Sequence, residues 1–100
     1  MADPRIHDIY SVEDTFVSVG AVSTLIRASN LRRAECDIVN DGDEPVYLAR
    51  GAAAVLNSGM RLNPQGGSYR IGTNNLWKGT IYGICAGGDV NVTVSEGSVR

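Results

Sequence analysis

The stretch that covers residues 33–47 constrains the fold most, because it places strand patterns on both sides of a turn signal. Residues 34–39 alternate between two faces with the period of two that is typical of a half-buried strand. Residues 40–44 are turn formers, and Pro45 opens a second run of strand-forming residues. The pattern predicts a β-hairpin, and comparable units further along the chain predict a small all-β domain built from hairpins.

Strand-like segments recur through the rest of the sequence, with turn formers between them at intervals of about eight to twelve residues. The last segment alternates most cleanly, since Val90, Val92 and Val94 share one face, and this predicts one buried and one solvated face. The spacing predicts a small antiparallel β-sandwich or barrel-like sandwich of about eight short strands. The further strands are predicted at residues 15–19, 22–28, 60–62, 68–71, 80–85 and 90–95.

Two segments leave more than one interpretation open. Residues 22–28 are predicted to pair with residues 15–19 in a first hairpin, and a short amphipathic helix over residues 22–33 is the alternative. Weak helix formers and the lack of a good C-cap argue against that helix. The alanine-rich residues 51–56 favour a helix by propensity, but their shortness and the flanking glycine predict an extended segment.

Residues 1–13 are predicted to form an extended N-terminal arm that precedes a β-sandwich domain of residues 14–100. The arm is polar, contains Pro4 and lacks a sustained hydrophobic period. Its few apolar side chains have no partner within the segment, which predicts docking on a neighbouring subunit or on a shell, with a disordered tail as the alternative. The arm residues predicted at this interface are Ile6, His7, Ile9 and Tyr10.

Charge and hydropathy argue against several classes of function. The formal net charge is -2 and the sequence pI is about 5.2, whereas phosphate binding needs a clustered positive field, so nucleic acid is not an expected partner. No stretch approaches the ~20 apolar residues of a membrane span. The N-terminus lacks the apolar segment of a secretory signal, which predicts synthesis in a cytoplasm.

Residues suited to catalysis or metal binding are few. His7, Asp8 and Ser11 lie in the arm, which offers neither a desolvated pocket nor a group that orients a base, so no catalytic residue and no cofactor are predicted. Asp41 and Asp43 belong to an oxygen-rich turn, for which calcium and a solvated turn are the two interpretations, and no metal is predicted.

Cys36 and Cys85 both fall in predicted strands, where buried small hydrophobic residues are the expected role. Free thiols are predicted because the expected compartment is reducing, but the sequence leaves open whether the two cysteines face each other. The two cysteines and the single histidine of the chain cannot supply the usual four ligands of a structural zinc site.

A characteristic order of asparagine, glycine, proline and apolar residues runs through the chain from Val17 to Glu96. Its members are Asn30, Arg33, Ile38, Asn40, Gly42, Val46, Tyr47, Leu48, Gly51, Gly59, Leu62, Pro64, Gly66, Gly79, Ile81, Tyr82, Ile84, Val90, Val92, Val94 and Glu96. This order resembles that of small β-sandwich proteins encoded among the structural genes of tailed bacteriophages. The chain departs from that pattern at Gln65, which separates the proline from the glycine, and at Trp77.

The resemblance implies a non-enzymatic virion component, found as a head decoration (cement), head-fibre, neck or tail accessory protein. It implies a homo-oligomer, for example a trimer, and contact with the major capsid protein or other virion proteins. The expected function is therefore a capsid decoration protein that stabilises the assembled shell through its surface and N-terminal arm. A carbohydrate- or receptor-binding module of a head fibre, neck or tail is the alternative.

Trp77 is the only tryptophan of the chain and has two interpretations. It is either a core residue or an exposed interface anchor, a role in which tryptophan is enriched. Under the carbohydrate-binding alternative, Trp77 and Tyr69 would form a shallow platform with Asn74 and Asn75. Tyr69 and Trp77 complete the predicted interface residues.

Overall fold

The computed structural model describes residues 8–100, which form eight strands and one short 3₁₀ helix. This confirms the predicted all-β class. Ile6 and His7 lie outside the described residues. No helix among residues 8–100 is long and apolar enough to span a lipid bilayer. The elements are β1 (Ser11–Val19), β2 (Thr24–Arg27), β3 (Arg33–Asn40), β4 (Val46–Arg50), β5 (Met60–Leu62), β6 (Ser68–Ile71), the 3₁₀ helix (Thr73–Asn75), β7 (Ile81–Cys85) and β8 (Val90–Ser98).

The strands form two antiparallel four-stranded sheets that together make a sandwich. One sheet has the order β1-β8-β3-β6 and the other the order β2-β7-β4-β5. The chain alternates between the sheets at every connection except the one between β4 and β5, which pair with each other. Two interlocked Greek keys of this kind define an eight-stranded jelly roll.

The connectivity by hairpins that the sequence predicts is wrong. The segment covering residues 33–47 is not a hairpin, because β3 pairs with β6 and β8 whereas β4 pairs with β5 and β7. Residues 41–45 instead carry the chain from one sheet to the other. The first pair of predicted strands and the last pair are also split between the sheets. A turn signal predicts a chain reversal, but it does not determine which strand supplies the hydrogen-bonding partner.

Two segment predictions also need correction at their boundaries. β1 starts at Ser11, so residues 11–13 belong to the sheet and not to an arm. They pair with β8. The strand predicted at residues 22–28 forms as the shorter β2 at Thr24–Arg27, and the alternative helix over residues 22–33 does not form. Residues 51–59 contain neither helix nor strand, and buried Ala54 donates its backbone N–H to Ser23 Oγ (2.8 Å).

The core lies between the two sheets and is built from the inward-facing positions of the alternating strands. Val90, Val92 and Val94 are all buried, which confirms the single apolar face predicted for β8. Cys36 and Cys85 are buried and free, and they lie in different sheets on β3 and β7. Burial raises the pKa of the Cys36 thiol to about 11 and also raises the pKa of Cys85.

Both thiols are therefore expected to be unreactive in the native protein. Because the thiolate is the reacting form, a thiol-specific disulfide reagent at pH 8 should react at least about 100-fold more slowly with the native protein than with the protein in denaturant. The denatured sample is the control and should release two equivalents. Rapid reaction of one thiol in native protein would contradict the burial of that strand.

The loops gather at two ends of the sandwich. Loops 20–23, 41–45, 63–67 and 86–89 form one end, named the Asn40 end, which contains four carboxylates and no lysine or arginine. Loops 28–32, 51–59 and 72–80 form the other, named the Trp77 end, which contains Arg32 and Lys78 and no carboxylate. Backbone hydrogen bonds tie these last three loops together, from Asn30 N to Lys78 O (2.8 Å) and from Gly51 N to Thr80 O (2.9 Å).

Candidate functional site

A buried ion pair organises the Trp77 end. Arg33 and Glu96, on neighbouring strands β3 and β8, are only 1% and 3% exposed. Arg33 Nε donates to Glu96 Oε2 (2.5 Å), and the guanidinium also donates to the backbone oxygens of Trp77 (3.0 Å), Gly79 (3.0 Å) and Ala28 (2.9 Å). One side chain therefore fixes the β2–β3 and β6–β7 loops to the first sheet.

A second arginine extends this pair toward the surface. Arg27 on β2 donates through Nη2 to Glu96 (2.6 Å) and to Glu13 of β1 (2.9 Å), so the network bridges the two sheets. The Arg27 Nε atom is buried and has no hydrogen-bond partner among residues 8–100. Burial alone would raise the pKa of Glu96, but the hydrogen bonds and charges of Arg33 and Arg27 outweigh it and hold that pKa below its ordinary value.

Because the pKa of Glu96 is lowered, the free energy of unfolding depends on pH in the acid range. A carboxylate with a depressed folded-state pKa contributes its full stabilisation above the unfolded-state value, near pH 4.5, and loses it as the pH falls through the folded-state value. We expect the free energy of unfolding, measured by urea titration, to fall between about pH 5 and pH 2. Glu96→Gln should be less stable at neutral pH and should lose less stability over this range. An acid profile unchanged by Glu96→Gln would contradict the assignment.

A polar cleft of about 390 Å³ lies beside this network, between the edge strands β1 and β2. Glu13, Arg27 and Glu96 supply its charged groups, and serine hydroxyls and the Asn30 amide supply uncharged donors and acceptors. The Asn30 amide is oriented by a hydrogen bond from its Nδ2 to Ser98 Oγ (2.9 Å). The lining residues are Ser11, Val12, Glu13, Arg27, Ala28, Ser29, Asn30, Glu96 and Ser98.

Exposed apolar side chains project from the same end of the sandwich. Leu31 is 81% exposed, and Val55 is 62% exposed. Leu56 and Leu76 are also exposed. All four lie on the loops that define the Trp77 end, and Leu31 and Leu76 neighbour the exposed Arg32 and Lys78 along the chain. Ala54, which precedes Val55, donates its N–H to Ser23 Oγ (2.8 Å), so the middle of loop 51–59 reaches back to loop 20–23. Apolar protrusions with basic neighbours are typical of a contact surface rather than of a solvated loop.

Trp77 occupies a position between its two predicted roles. It is half-buried and packs against the core, and its Nε1 donates to Thr80 O within its own loop (3.0 Å). The Arg50 guanidinium lies 5.9 Å from the ring centroid. A Cβ atom at Gly79 would come within 2.5 Å of the ring, so this glycine provides the space for it. Trp77 therefore helps to fix its loop against the core at the Trp77 end.

The other predicted interface residues are dispersed. Tyr10 is exposed, donates its backbone N–H to Ser98 O (2.8 Å) and lies 4.7 Å from the Arg100 guanidinium. Ile9 is 37% exposed. Tyr69 packs on the core from edge strand β6, and its Oη lies 3.5 Å from Asn75 Nδ2. The Asn75 amide accepts from Gly72 N and donates to Arg70 O. Separate interactions therefore fix Tyr10, Tyr69 and Trp77.

The acidic turn has a structural role. Buried Asn40 donates through Nδ2 to Glu44 O (2.7 Å) and Leu62 O (3.1 Å), and its Oδ1 accepts from Gly42 N (2.9 Å). Asp41 and Asp43 are exposed. Within residues 8–100, no group of three or more His, Cys, Asp or Glu residues could hold a metal ion.

Sequence reasoning missed the Arg33–Glu96 network. The pairing of β3 with β8 is irregular between Arg33 and Glu35, and this shift turns Arg33 inward although simple alternation would not place it on the face of Cys36. Glu96 carried a usable signal, because it continues the buried parity of Val92 and Val94. The predicted strand ended at residue 95, three residues before the end of β8 at Ser98, and so left Glu96 out. Searches against protein-family models, curated proteins and solved structures find no match for this chain.

Proposed function

We propose that the protein is a non-enzymatic structural component of a phage virion, made in the host cytoplasm, that decorates and stabilises the assembled capsid. Two observations support the proposal: the resemblance of the sequence to phage structural proteins and the jelly-roll strand order, an architecture used by viral capsid proteins. The same architecture also serves lectins, so the proposed role rests on the surface of the protein and not on its fold alone.

The exposed apolar residues of the Trp77 end carry the proposal. Leu31 and Leu76 project from loops whose backbones accept hydrogen bonds from the buried Arg33 side chain, at Ala28 O and at Trp77 O. A rigid apolar surface loses little conformational entropy on docking. The basic residues beside it favour an acidic partner surface, and the chain's own N-terminal segment enters the sandwich at this end. The geometry therefore suits a surface that binds a shell through its loops and N-terminal arm.

Such a surface stabilises a shell by mass action. A protein that binds the assembled lattice, and not the free capsid subunit, shifts the equilibrium toward the lattice by an amount set by its concentration and affinity. Repeated sites on a symmetric shell add avidity if the protein is an oligomer. No catalytic group is required, and the major capsid protein or another virion protein is the partner.

Co-sedimentation with undecorated capsids tests this proposal. Leu31→Asp adds a carboxylate at an 81% exposed position of the Trp77 end, and Val22→Asp adds the same group at a 77% exposed position of the Asn40 end. We expect Leu31→Asp to weaken shell binding about tenfold or more, and Val22→Asp to leave it unchanged. Binding that neither substitution alters, or the absence of any binding by the full chain, would contradict the proposal.

A second candidate function, a carbohydrate- or receptor-binding module, is favoured by the polar cleft. Its hydroxyls, amide and paired charges offer both donors and acceptors, as a hydroxyl-rich ligand requires. Trp77 and the asparagines of its loop are the competing candidate platform, although separate interactions fix Trp77 and Asn75. Ser29→Trp would fill the cleft, whereas Trp77→Ala would remove the platform. A glycan-array signal lost only in Ser29→Trp would place sugar binding in the cleft, and a silent array would contradict this candidate.

A further inference from the structure

We propose that β1 pairs with β1 of a second copy of this chain, across a two-fold axis that passes beside Phe16, and so joins the two four-stranded sheets into one continuous sheet. β1 is an edge strand, and no strand among residues 8–100 lies on its outer side. It is nine residues long, and together with β8 it is the longest strand in the described part of the chain. Edges of this length are usually covered or protected, because their free N–H and C=O groups recruit another strand.

The outer face of β1 carries apolar residues that do not contribute to the core. Phe16 is 69% exposed and Val12 is 60% exposed, whereas Val19 on the inward face is fully buried. Asp14, between the two, is held on the outer face by a hydrogen bond from Ser95 Oγ to its Oδ1 (2.5 Å). Exposure of phenylalanine on an edge strand indicates a surface that is covered in the assembled protein.

The order of side chains on this face selects one antiparallel register. A two-fold axis at Phe16 places the two phenylalanine rings opposite each other and places Asp14 opposite Ser18 of the second copy. An axis at Asp14 would place two carboxylates directly opposite each other, which is destabilising. An axis at Thr15 would place Asp14 opposite Phe16. Opposed aromatic rings contribute favourably across strands, so the register at Phe16 is preferred.

The pairing is isologous and therefore closes as a dimer instead of continuing into a fibre. It buries the edge that is exposed in the single chain, and it leaves the loops of the Trp77 end free. The inference does not depend on the proposed function, since self-association and shell binding use different surfaces.

Sedimentation analysis of the full chain tests the dimer, and two substitutions at Ser18 test its register. In Ser18→Lys the new ammonium would lie opposite Asp14 of the second copy, whereas in Ser18→Glu a carboxylate of like charge would lie there. The two-fold axis repeats this contact, so each dimer contains it twice. We expect the dimer to dissociate at about tenfold or more higher concentration in Ser18→Glu than in Ser18→Lys. Phe16→Lys should yield monomers. Both positions are exposed, so thermal melting should show native stability in each variant.

Cross-linking gives an independent readout of the same axis. In Phe16→Cys the new thiols lie opposite each other, with Cβ atoms about 4.5–5.5 Å apart, near the range that a disulfide bridges. A mild oxidant should therefore form a covalent dimer rapidly in Phe16→Cys and slowly in the control Val12→Cys, which has no matching thiol opposite it. A chain that stays monomeric at millimolar concentration, or an oligomer insensitive to both Ser18 substitutions, overturns the inference and leaves shell binding unaffected.

Discussion

Arg33→Met is expected to lower the free energy of unfolding by about 3–5 kcal/mol, the cost of breaking a buried ion pair from one side. The substitution leaves Glu96 without its closest partner and leaves the backbone oxygens of Ala28, Trp77 and Gly79 without their donor. A domain of this size has about 5–15 kcal/mol of stability in total, so the loss should lower Tm by about 15 °C or more. Urea and thermal unfolding measure both quantities.

Arg70→Met is the matched control, because Arg70 also forms two carboxylate contacts but its side chain is 59% exposed. Its guanidinium contacts Asp37 (2.7 Å) and Glu35 (3.7 Å) on the solvated face of the sheet. Such exposed pairs contribute little to stability, because water and salt screen them. Arg33→Lys should fall between the two, since one ammonium keeps the charge but cannot reach all four acceptors. A loss in Arg33→Met no greater than in Arg70→Met would contradict the role assigned to this side chain.

Stability and function are linked at Arg33. The loops that carry Leu31 and Trp77 are tied to the sheet by the same guanidinium, so Arg33→Lys should loosen the Trp77 end before the sandwich unfolds. Amide hydrogen exchange should detect this loosening in residues 28–32 and 72–80. If these loops carry the docking surface, shell binding should weaken in Arg33→Lys at temperatures where the core remains folded.

The sequence was sufficient to predict the strands, because each strand is encoded locally by its period of two and by flanking turn formers. Val90, Val92 and Val94 show this clearly, since their alternation alone indicates a buried face. The pairing of strands was not predictable in the same way. In a jelly roll, neighbouring strands in a sheet are distant along the chain, as β1 and β8 are, and no local signal records such a contact.

The candidate site was harder to predict for a related reason. Arg33 faces the interior only because the irregular pairing near it reverses the alternation. Arg27 and Glu13 meet across the two sheets, a contact that depends on the complete topology. Glu96 could have been predicted as buried, because it continues the alternation of Val92 and Val94. A charged residue at a buried position would have indicated a buried ion pair.

A second large effect is expected at Asn40, whose side chain connects the end of β3 to the loop before β4 and to β5 of the opposite sheet. Asn40→Asp keeps the shape but replaces the Nδ2 donor with an oxygen that faces the carbonyl oxygens of Glu44 and Leu62. The buried carboxylate gains no cationic partner, since the loops of the Asn40 end carry no lysine or arginine. We expect a loss of about 3 kcal/mol or more at pH 7.

The pH dependence of Asn40→Asp separates the cost of burying a charge from the loss of the two donated hydrogen bonds alone. Burial without a counter-charge raises the folded-state pKa of a carboxyl group, so the protonated form is compatible with the fold and the ionised form opposes it. The stability deficit relative to the wild type should therefore be smallest near pH 4 and should grow as the pH rises. Asn91→Asp, on an exposed position nearby, is the control and should cost less than about 0.5 kcal/mol at either pH. A deficit in Asn40→Asp that does not depend on pH would contradict the expectation that an ionised carboxylate at this position is buried without a counter-charge.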